Sequence, residues 1–392
     1  MQNNENYSVE VQCHECALNI KLPNLEENQK AQCPRCGYTL STFHRNAHQR
    51  IVAFAITALI FLLASLPFKF LSFNSNGLEN HFDIIKSFFV LINNDYLVLA
   101  LIELLTIFAI PSVVLVSVIY LLVPLNKGLY PKHGRRVLNI VFKLLPWCMV
   151  EIFLIGTMVS LIKIISMADI TLGMSFYAFI LFAFSMTLVV LHIDKRQFYQ
   201  VLTHVEKAHN IEIQQSQYKV AQEDPTSHAL SIQKTWALLF TAVILYIPAN
   251  IFPIMTTHLF GQDEPSTIIG GVILLWNLGS YPIAAIIFIA SVIVPVAKIL
   301  VLAWLNYSVQ KQSDRLSLQR VKWYRLAEFV GRWSMIDVFV VIVLVSLIQL
   351  GPTMSTTPGG ATLAFSGVVI FTMLAAMSFE PQLIWKNKKN YE

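Results

Sequence analysis

Four cysteines stand in two pairs near the start of the chain, Cys13-x-x-Cys16 and Cys33-Pro34-Arg35-Cys36-Gly37. Each C-x-x-C turn presents two sulfurs on one side, and a short hairpin can bring two such turns together into a closed tetrahedral site. The spacing predicts that Cys13, Cys16, Cys33 and Cys36 hold a structural Zn2+. An iron site, a redox dithiol or a disulfide pair would use the same residues and are the alternatives. Four protein ligands leave no open position, so the metal is expected to fold residues 1–44 rather than to perform chemistry. The fifth cysteine, Cys148, lies in an apolar run and is expected to pack.

A second group with chemical capacity is sparse and surrounded by apolar sequence: Glu103, Glu151, Lys163, Lys298 and Asp337. What must position them follows from composition. The chain has 392 residues, 55% of them hydrophobic and 13% charged, against about 25% charged in an ordinary soluble domain. That excludes a soluble globular protein and a disordered one, and makes lipid the expected solvent. A net charge of +5 argues poorly for nucleic acid. The polar first 50 residues hold no apolar signal-peptide core, so the N-terminus is expected in the mature protein.

About 20 apolar residues cross a bilayer core, and eight runs qualify: Ile51 to Phe73, Leu97 to Leu122, Leu144 to Ile165, Leu172 to Leu191, Trp236 to Met255, Tyr281 to Leu305, Trp333 to Leu350 and Ala361 to Phe379. Phe88 to Ile92 and Ile268 to Leu278 are too short and read as interfacial or re-entrant pieces. Basic residues in short loops set orientation. Lys127, Lys132, Arg135, Arg136 and Lys143 follow the second span, and Lys311, Arg315, Arg320, Lys322 and Arg325 follow the sixth. The connections 74–96 and 257–280 carry Glu79, Asp83, Asp95, Asp263 and Glu264 against Lys86 alone. The basic loops are expected in the cytoplasm with both termini. The expected fold is an all-α polytopic membrane protein of two tandem four-helix units, 45–192 and 235–392, behind an N-terminal zinc ribbon, with 193–234 as a cytoplasmic linker.

The units read as a parallel duplication. WCMVEIF at 147–153 matches WSMIDVF at 333–339, VSLIK at 159–163 matches VSLIQ at 345–349, and Pro111 and Pro295 fall in the second span of each unit.

An ionisable residue within a span costs at least about 2.5 to 3.5 kcal/mol, so it is expected to face a partner or a water-filled cavity. At 1.5 Å per residue, Lys298 and Asp337 both sit roughly 6 to 9 Å inside the cytoplasmic boundary and can meet; Lys298 snorkelling to the surface is the alternative. Glu103 and Lys163 approach the outer boundary. Glu151 matches Asp337 without a matching lysine and, if reached by water, is a proton-relay candidate. Pro111 and Pro295 free the carbonyls of Ile107 and Ser291 and favour kinks. With Asn250 between Pro248 and Pro253, they suggest a cavity in the second unit, rimmed by Gly270-Gly271 and by Pro352 to Gly360.

The ribbon, the two four-span units, TWALLFTAVILYIPANIFPIM at 235–255, WSMIDVF and the closing FEPQLIW at 379–385 together resemble the paraquat-inducible protein A family, the PqiA and LetA type of inner-membrane protein. The resemblance implies a lipid-transport subunit that loads or unloads phospholipid to a periplasmic MCE-domain tunnel protein. Two departures stand out. The family usually carries a ribbon before each unit, yet 193–234 has no cysteine and keeps only His204, His209 and His228. The first unit also lacks the Pro-Ala-Asn string, with Ala64-Ser65-Leu66-Pro67-Phe68 in its place. The alternatives are a secondary transporter for an ion or solute and a zinc-dependent sensor or docking protein. No nucleophile and base pair, phosphate loop or open metal site stands out, so no enzyme is expected.

Overall fold

The computed structural model describes residues 9–22, 29–42, 47–75, 78–164, 169–208, 225–259, 262–277, 279, 281–311, 316–347 and 354–390. Two antiparallel hairpins come first, β1 (Val9–Gln12) with β2 (Asn19–Leu22) and β3 (Lys30–Gln32) with β4 (Thr39–Thr42). A cysteine pair forms the tip of each.

The first unit runs α1 (Ala47–Ala64), β5 (Leu71–Ser75), β6 (Leu78–Phe82), a short α2 (Ile84–Asn93) and α3 (Leu97–Glu103). It continues through a π-helical turn, Leu104–Ala109, into α4 (Ile110–Asn126), α5 (Gly134–Leu144), α6 (Val150–Ile164), β7 (Asp169–Leu172) and α7 (Met174–His192). After α8 (Lys195–Ala208), the second unit repeats that order: α9 (Pro225–Ile251), β8 (Met255–Leu259), β9 (Gln262–Ser266), α10 (Ile268–Asn277) and α11 (Tyr281–Phe288). A second π-helical turn, Ile289–Ile293, leads to α12 (Val294–Gln310), α13 (Ser317–Trp333), α14 (Ile336–Leu347), β10 (Met354–Pro358), α15 (Gly360–Ser378) and a 3-10 tail, Pro381–Asn390. Matching elements in matching order, down to the π-turns, are the signature of duplication.

Among the described residues eight helical segments are long and apolar enough to cross a membrane, so the chain is a multi-pass membrane protein. Boundaries differ from the hydropathy reading in two ways. The first span stops at Ala64, before Leu66-Pro67, because a residue preceding proline is pushed out of the helical region. Leu71 to Phe73 then pairs as strand. The basic stretches after the second and sixth spans are partly helical: α5 and α13 run straight toward α6 and α14 through short turns, so those two spanning segments are Gly134–Ile162 and Ser317–Leu347.

Two three-stranded antiparallel sheets cap the bundle at the end opposite the ribbon. The hairpin after each unit's first span takes its third strand from just before that unit's last span, β7 on β5 and β10 on β8. Met354–Pro358 is therefore a paired strand, and Gly270 and Gly271 lie within α10, rather than forming a loop rim. Gly173 and Gly359 stand between strand and helix at equivalent points. A Cβ there would fall 1.8 Å from Lys69 O and 2.0 Å from Pro253 O, so only glycine lets the backbones approach so closely.

The units share one core. Helix α14 is buried along its whole length, packing chiefly on α6, its counterpart in the repeat. Phe153 of α6 meets Phe339 of α14 edge-on at 5.6 Å between ring centroids, and Phe70, Phe179 and Phe82 extend that cluster toward the sheets. The described part of the segment between units is helical. Glu206 of α8 is held by Arg135 and by Tyr130 Oη at 2.9 Å, and His228 Nδ1 lies 2.9 Å from Glu380 Oε2. His209 and the side chains of His204 and Lys163 lie outside the described residues.

Candidate functional site

The chemistry-bearing residues fall in two places. At the ribbon end, the hairpins bring Cys13, Cys16, Cys33 and Cys36 together, all buried, with their sulfurs within 4.8 Å of one another. Cys13 and Cys36 stand 3.6 Å apart and Cys16 and Cys33 3.4 Å. These separations are far beyond a covalent S–S bond. They are close to the ~3.8 Å that a tetrahedron of ~2.3 Å metal–sulfur bonds requires. The two turns are alike: Leu18 O and Tyr38 O accept from Cys13 N and Cys33 N at 2.9 and 2.8 Å, and Ala17 N and Gly37 N donate to Cys13 O and Cys33 O at 2.9 and 2.8 Å. The hydrogen bond from Cys16 pulls the Cys13 thiol down to about 5, while giving that bond pushes Cys16 far up and burial pushes Cys36 up to about 12. Four packed thiols cannot all shed protons on their own. A metal cation would replace those protons, and this donor set fits one.

The knuckles carry different residues just after the second cysteine. Ala17 and Gly37 both adopt the left-handed region, at φ 54° and 69°, which costs a residue with a Cβ about 1 kcal/mol or more. Ala17→Gly should therefore stabilise the folded ribbon by up to about 1 kcal/mol, measured as slower metal release to a chelator.

The ribbon is clamped to both units. Arg325 of α13 grips Glu15, which lies between Cys13 and Cys16, and donates to Cys36 O at 2.9 Å. Arg35 stacks on Trp385 with its guanidinium carbon 4.8 Å from the ring centroid, and Gln382 Nε2 donates to His14 O at 3.0 Å. On the first unit, Asp194 accepts from Ser41 Oγ at 2.9 Å and Thr42 N at 3.1 Å.

The second place lies among the spans. Lys298 is 4% exposed, so it does not snorkel to the surface, and its Nζ has no hydrogen-bond partner among the described residues. Its side chain lies across Gly331 of α13, where a Cβ would come within 2.4 Å of Nζ. Asp337 is buried in the first turn of α14, six residues further along the chain. Ser291 is buried in the second π-turn and donates to Ile287 O at 2.7 Å. Both π-turns end just before the prolines, and their wider ring absorbs the missing backbone donor of Pro111 and Pro295. Asn250 Nδ2 is committed to Tyr246 O at 2.8 Å within its own helix.

Two acidic residues of the first unit have hydroxyl partners. Thr187 Oγ1 donates to Glu151 Oε1 at 2.8 Å, joining α7 to α6. Glu103, 1% exposed, accepts from Ser87 Oγ at 2.9 Å, and Ser87 Oγ lies 2.9 Å from Ser346 Oγ of the second unit.

The units are not equivalent at the sheet end. In the first, α3 buries Leu99, Ala100, Ile102 and Glu103, and α2 and α3 pack on α14. In the second, Ala284 is the buried residue among the described side chains of α11, and α10 packs chiefly on α11. Ile273, Leu274, Trp276, Tyr281 and Ile286 stay exposed, which in a membrane means open to lipid.

With this geometry in view, the family described as paraquat-inducible protein A matches twice, over residues 48–203 and 232–389. The chain belongs to that family. The two matches fall on the two helical units, as duplication requires. The chain is 36% identical over 404 aligned residues to the intermembrane transport protein PqiA of Escherichia coli strain K12, covering 97% of this chain and 96% of that one. It is 29% identical over 400 residues to a probable intermembrane transport protein of Haemophilus influenzae, covering 96% and 95%. To the lipophilic envelope-spanning tunnel protein A of Escherichia coli strain K12 it is 25% identical over 389 residues, covering 95% and 90%. No solved structure is significantly similar to it.

Several residues escaped the sequence reading, Glu15, Gly331, Ser87, Ser346 and Thr187, as did the grip of Arg325 on the ribbon. Two had signals. Gly331 interrupts an otherwise good helical pattern, which marks a close approach, and Ser346 sits in one of the strings that reveal the repeat.

Proposed function

We propose that this family member is the inner-membrane subunit of an envelope lipid transport system, passing phospholipid to or from a periplasmic MCE-domain tunnel protein. The ribbon end faces the cytoplasm in this reading, in keeping with the reduced thiols and the basic residues of that end. One observation carries the proposal: Lys298, an ammonium buried among spans without a hydrogen-bond partner among the described residues. A cation held at such a cost has use as the counter-charge of an anionic group that enters the membrane interior, and a phospholipid phosphate is the anionic group native to that medium. The names of the relatives, intermembrane transport and lipophilic envelope-spanning tunnel, point the same way. Cys13, Cys16, Cys33 and Cys36 hold Zn2+ as a structural ion, and Asp337 and Ser291 belong to the polar surroundings of the lipid path.

The test is reconstitution of the full chain in vesicles holding a labelled phospholipid, with and without the purified tunnel partner. Transfer of label out of the membrane should require both proteins. Movement of a small solute by this chain alone, with no lipid transfer, contradicts the proposal and favours a secondary transporter.

A further inference from the structure

Glu103 poses a problem that lipid handling does not solve. It closes α3 at the sheet end, is 1% exposed, and its polar partner among the described residues is one hydroxyl, that of Ser87, at 2.9 and 3.1 Å from its two oxygens. Ser87 belongs to α2, and its oxygen lies 2.9 Å from that of Ser346 on α14. Three side chains on three helices thus form one line of oxygens from a carboxyl group of the first unit to a hydroxyl of the second.

Among the described residues no cation completes the site. Glu103 is the one ionisable residue of α3 and of the following π-turn. On α2, Lys86 is exposed and donates to His81 O at 3.2 Å, and Asp83 stands at the start of the helix. Next to α2, β6 carries Glu79 and His81, the latter 3.0 Å from Lys69 Nζ and 3.2 Å from Ser72 Oγ. The turn before α3 carries Asp95 and Tyr96. On α14 the sole charge is Asp337, at the opposite end. On α6, Glu151 is bound by Thr187 and lies at the far end, and Lys163 lies near its last turn.

A carboxylate here would be an uncompensated charge; a neutral acid would not. The hydroxyl line accommodates both forms, because a hydroxyl donates once and accepts twice. With the acid neutral, Glu103 donates to Ser87, Ser87 to Ser346, and Ser346 to a carbonyl of the preceding turn. With the acid ionised, each donor reverses and all point toward Glu103, which keeps its charge but not its solvation. The docked arrangement suits the neutral form, and an arm swung out into water suits the ionised one.

The duplication supplies a control inside the same molecule. Ser346 has its counterpart in Ser160, but Ser87 and Glu103 align with Gly271 and Ile287. The arm without the acid and its hydroxyl, α10–α11, is the one that packs loosely; the arm with them, α2–α3, is docked on α14.

We propose that Glu103 is a proton-binding latch at the interface between units, protonated while α2–α3 is docked on α14 and ionised when that arm releases. Only an O–H bond forms or breaks, and water at the sheet end takes or gives the proton. The proposal stands apart from the lipid reading, since it concerns how the units hold together.

The test is hydrogen exchange of the α2 amides in the full-length protein in lipid nanodiscs, expressed as protection factors so that intrinsic rates cancel. The unsubstituted chain should show constant protection at lower pH and then lose about tenfold per pH unit as release becomes coupled to one proton. Glu103→Gln, which keeps the shape and stays neutral, should hold α2 protected throughout that range. Ser346→Ala, which cuts the line between units but leaves Glu103 in place, should lower protection at every pH and keep the alkaline loss. Infrared difference spectra should show a protonated carboxyl band that disappears in Glu103→Gln. Protection that does not change with pH, an equal alkaline loss in Glu103→Gln, or a carboxyl band unaffected by that substitution overturns the proposal.

Discussion

Lys298→Ala is expected to abolish the proposed lipid transport and to leave membrane insertion intact. Two stability effects oppose each other in this substitution. Removing a four-carbon stem from a buried site opens a cavity, which costs on the order of 2–5 kcal/mol for side chains of this size. Removing an ammonium without a hydrogen-bond partner relieves at least about 2.5–3.5 kcal/mol of insertion cost. The two nearly cancel, so expression and thermal unfolding should change little while transport falls to background. That separation distinguishes a functional lysine from a structural one. Gly331→Ala is the companion variant: its Cβ occupies the place where Nζ lies, and overpacking of this kind costs about 1–3 kcal/mol. It should displace the ammonium and reduce transport without removing the charge. Full activity of either variant in the vesicle assay would remove Lys298 from the lipid path.

The second large effect concerns the metal. The ribbon buries few apolar side chains of its own, Ala31 and Leu40 among them, beside the four cysteines. A unit so small does not fold on hydrophobic burial alone. Structural zinc contributes about 10–16 kcal/mol in peptides of comparable size, so in the proposed zinc-bound form the ion would be the main organiser. Cys16→Ser, or a strong chelator, should empty the site and unfold residues 9–42. Because Arg325, Trp385 and Gln382 all hold the ribbon in its folded form, the ribbon should also leave the end of the bundle. Metal analysis should give one zinc per intact chain and none in the variant. Limited proteolysis should then remove the ribbon while the spans survive. A metal-free chain whose ribbon resists protease would show that docking, not the ion, holds it.

How far the sequence could be read depended on the range of the interactions involved. Spans were legible because lipid imposes a continuous apolar run on any helix that crosses it, and all eight are present. The cysteine quartet was legible for a similar reason, since ligand type and spacing are local. The duplication was carried by strings such as VSLIK and VSLIQ, and the structure shows it in every element. The two sheets were not legible. Their strands are four or five residues long, and β5 pairs with β7 across nearly the whole first unit, a partnership that no local pattern encodes. Depth arithmetic put Lys298 and Asp337 at one level, but depth says nothing about rotation around a helix axis, and Lys298 turns onto Gly331. Asn250 between its prolines suggests a cavity, yet its amide satisfies the carbonyl one turn back, a bond any helical asparagine can make. The Glu103–Ser87–Ser346 line joins three helices from two units, and serines among apolar residues give no sign of whom they will meet.

The most direct measurement is a solid-state NMR dipolar coupling between the side-chain nitrogen of Lys298 and phospholipid phosphorus, in the full chain reconstituted in phospholipid and assigned by its absence in Lys298→Arg. An ion-paired ammonium and phosphate lie within about 4 Å, close enough for a strong nitrogen–phosphorus coupling, and that coupling is the predicted result. A Lys298 nitrogen resolved in the lipid-saturated protein but uncoupled to any phosphorus would contradict the lipid path through this site.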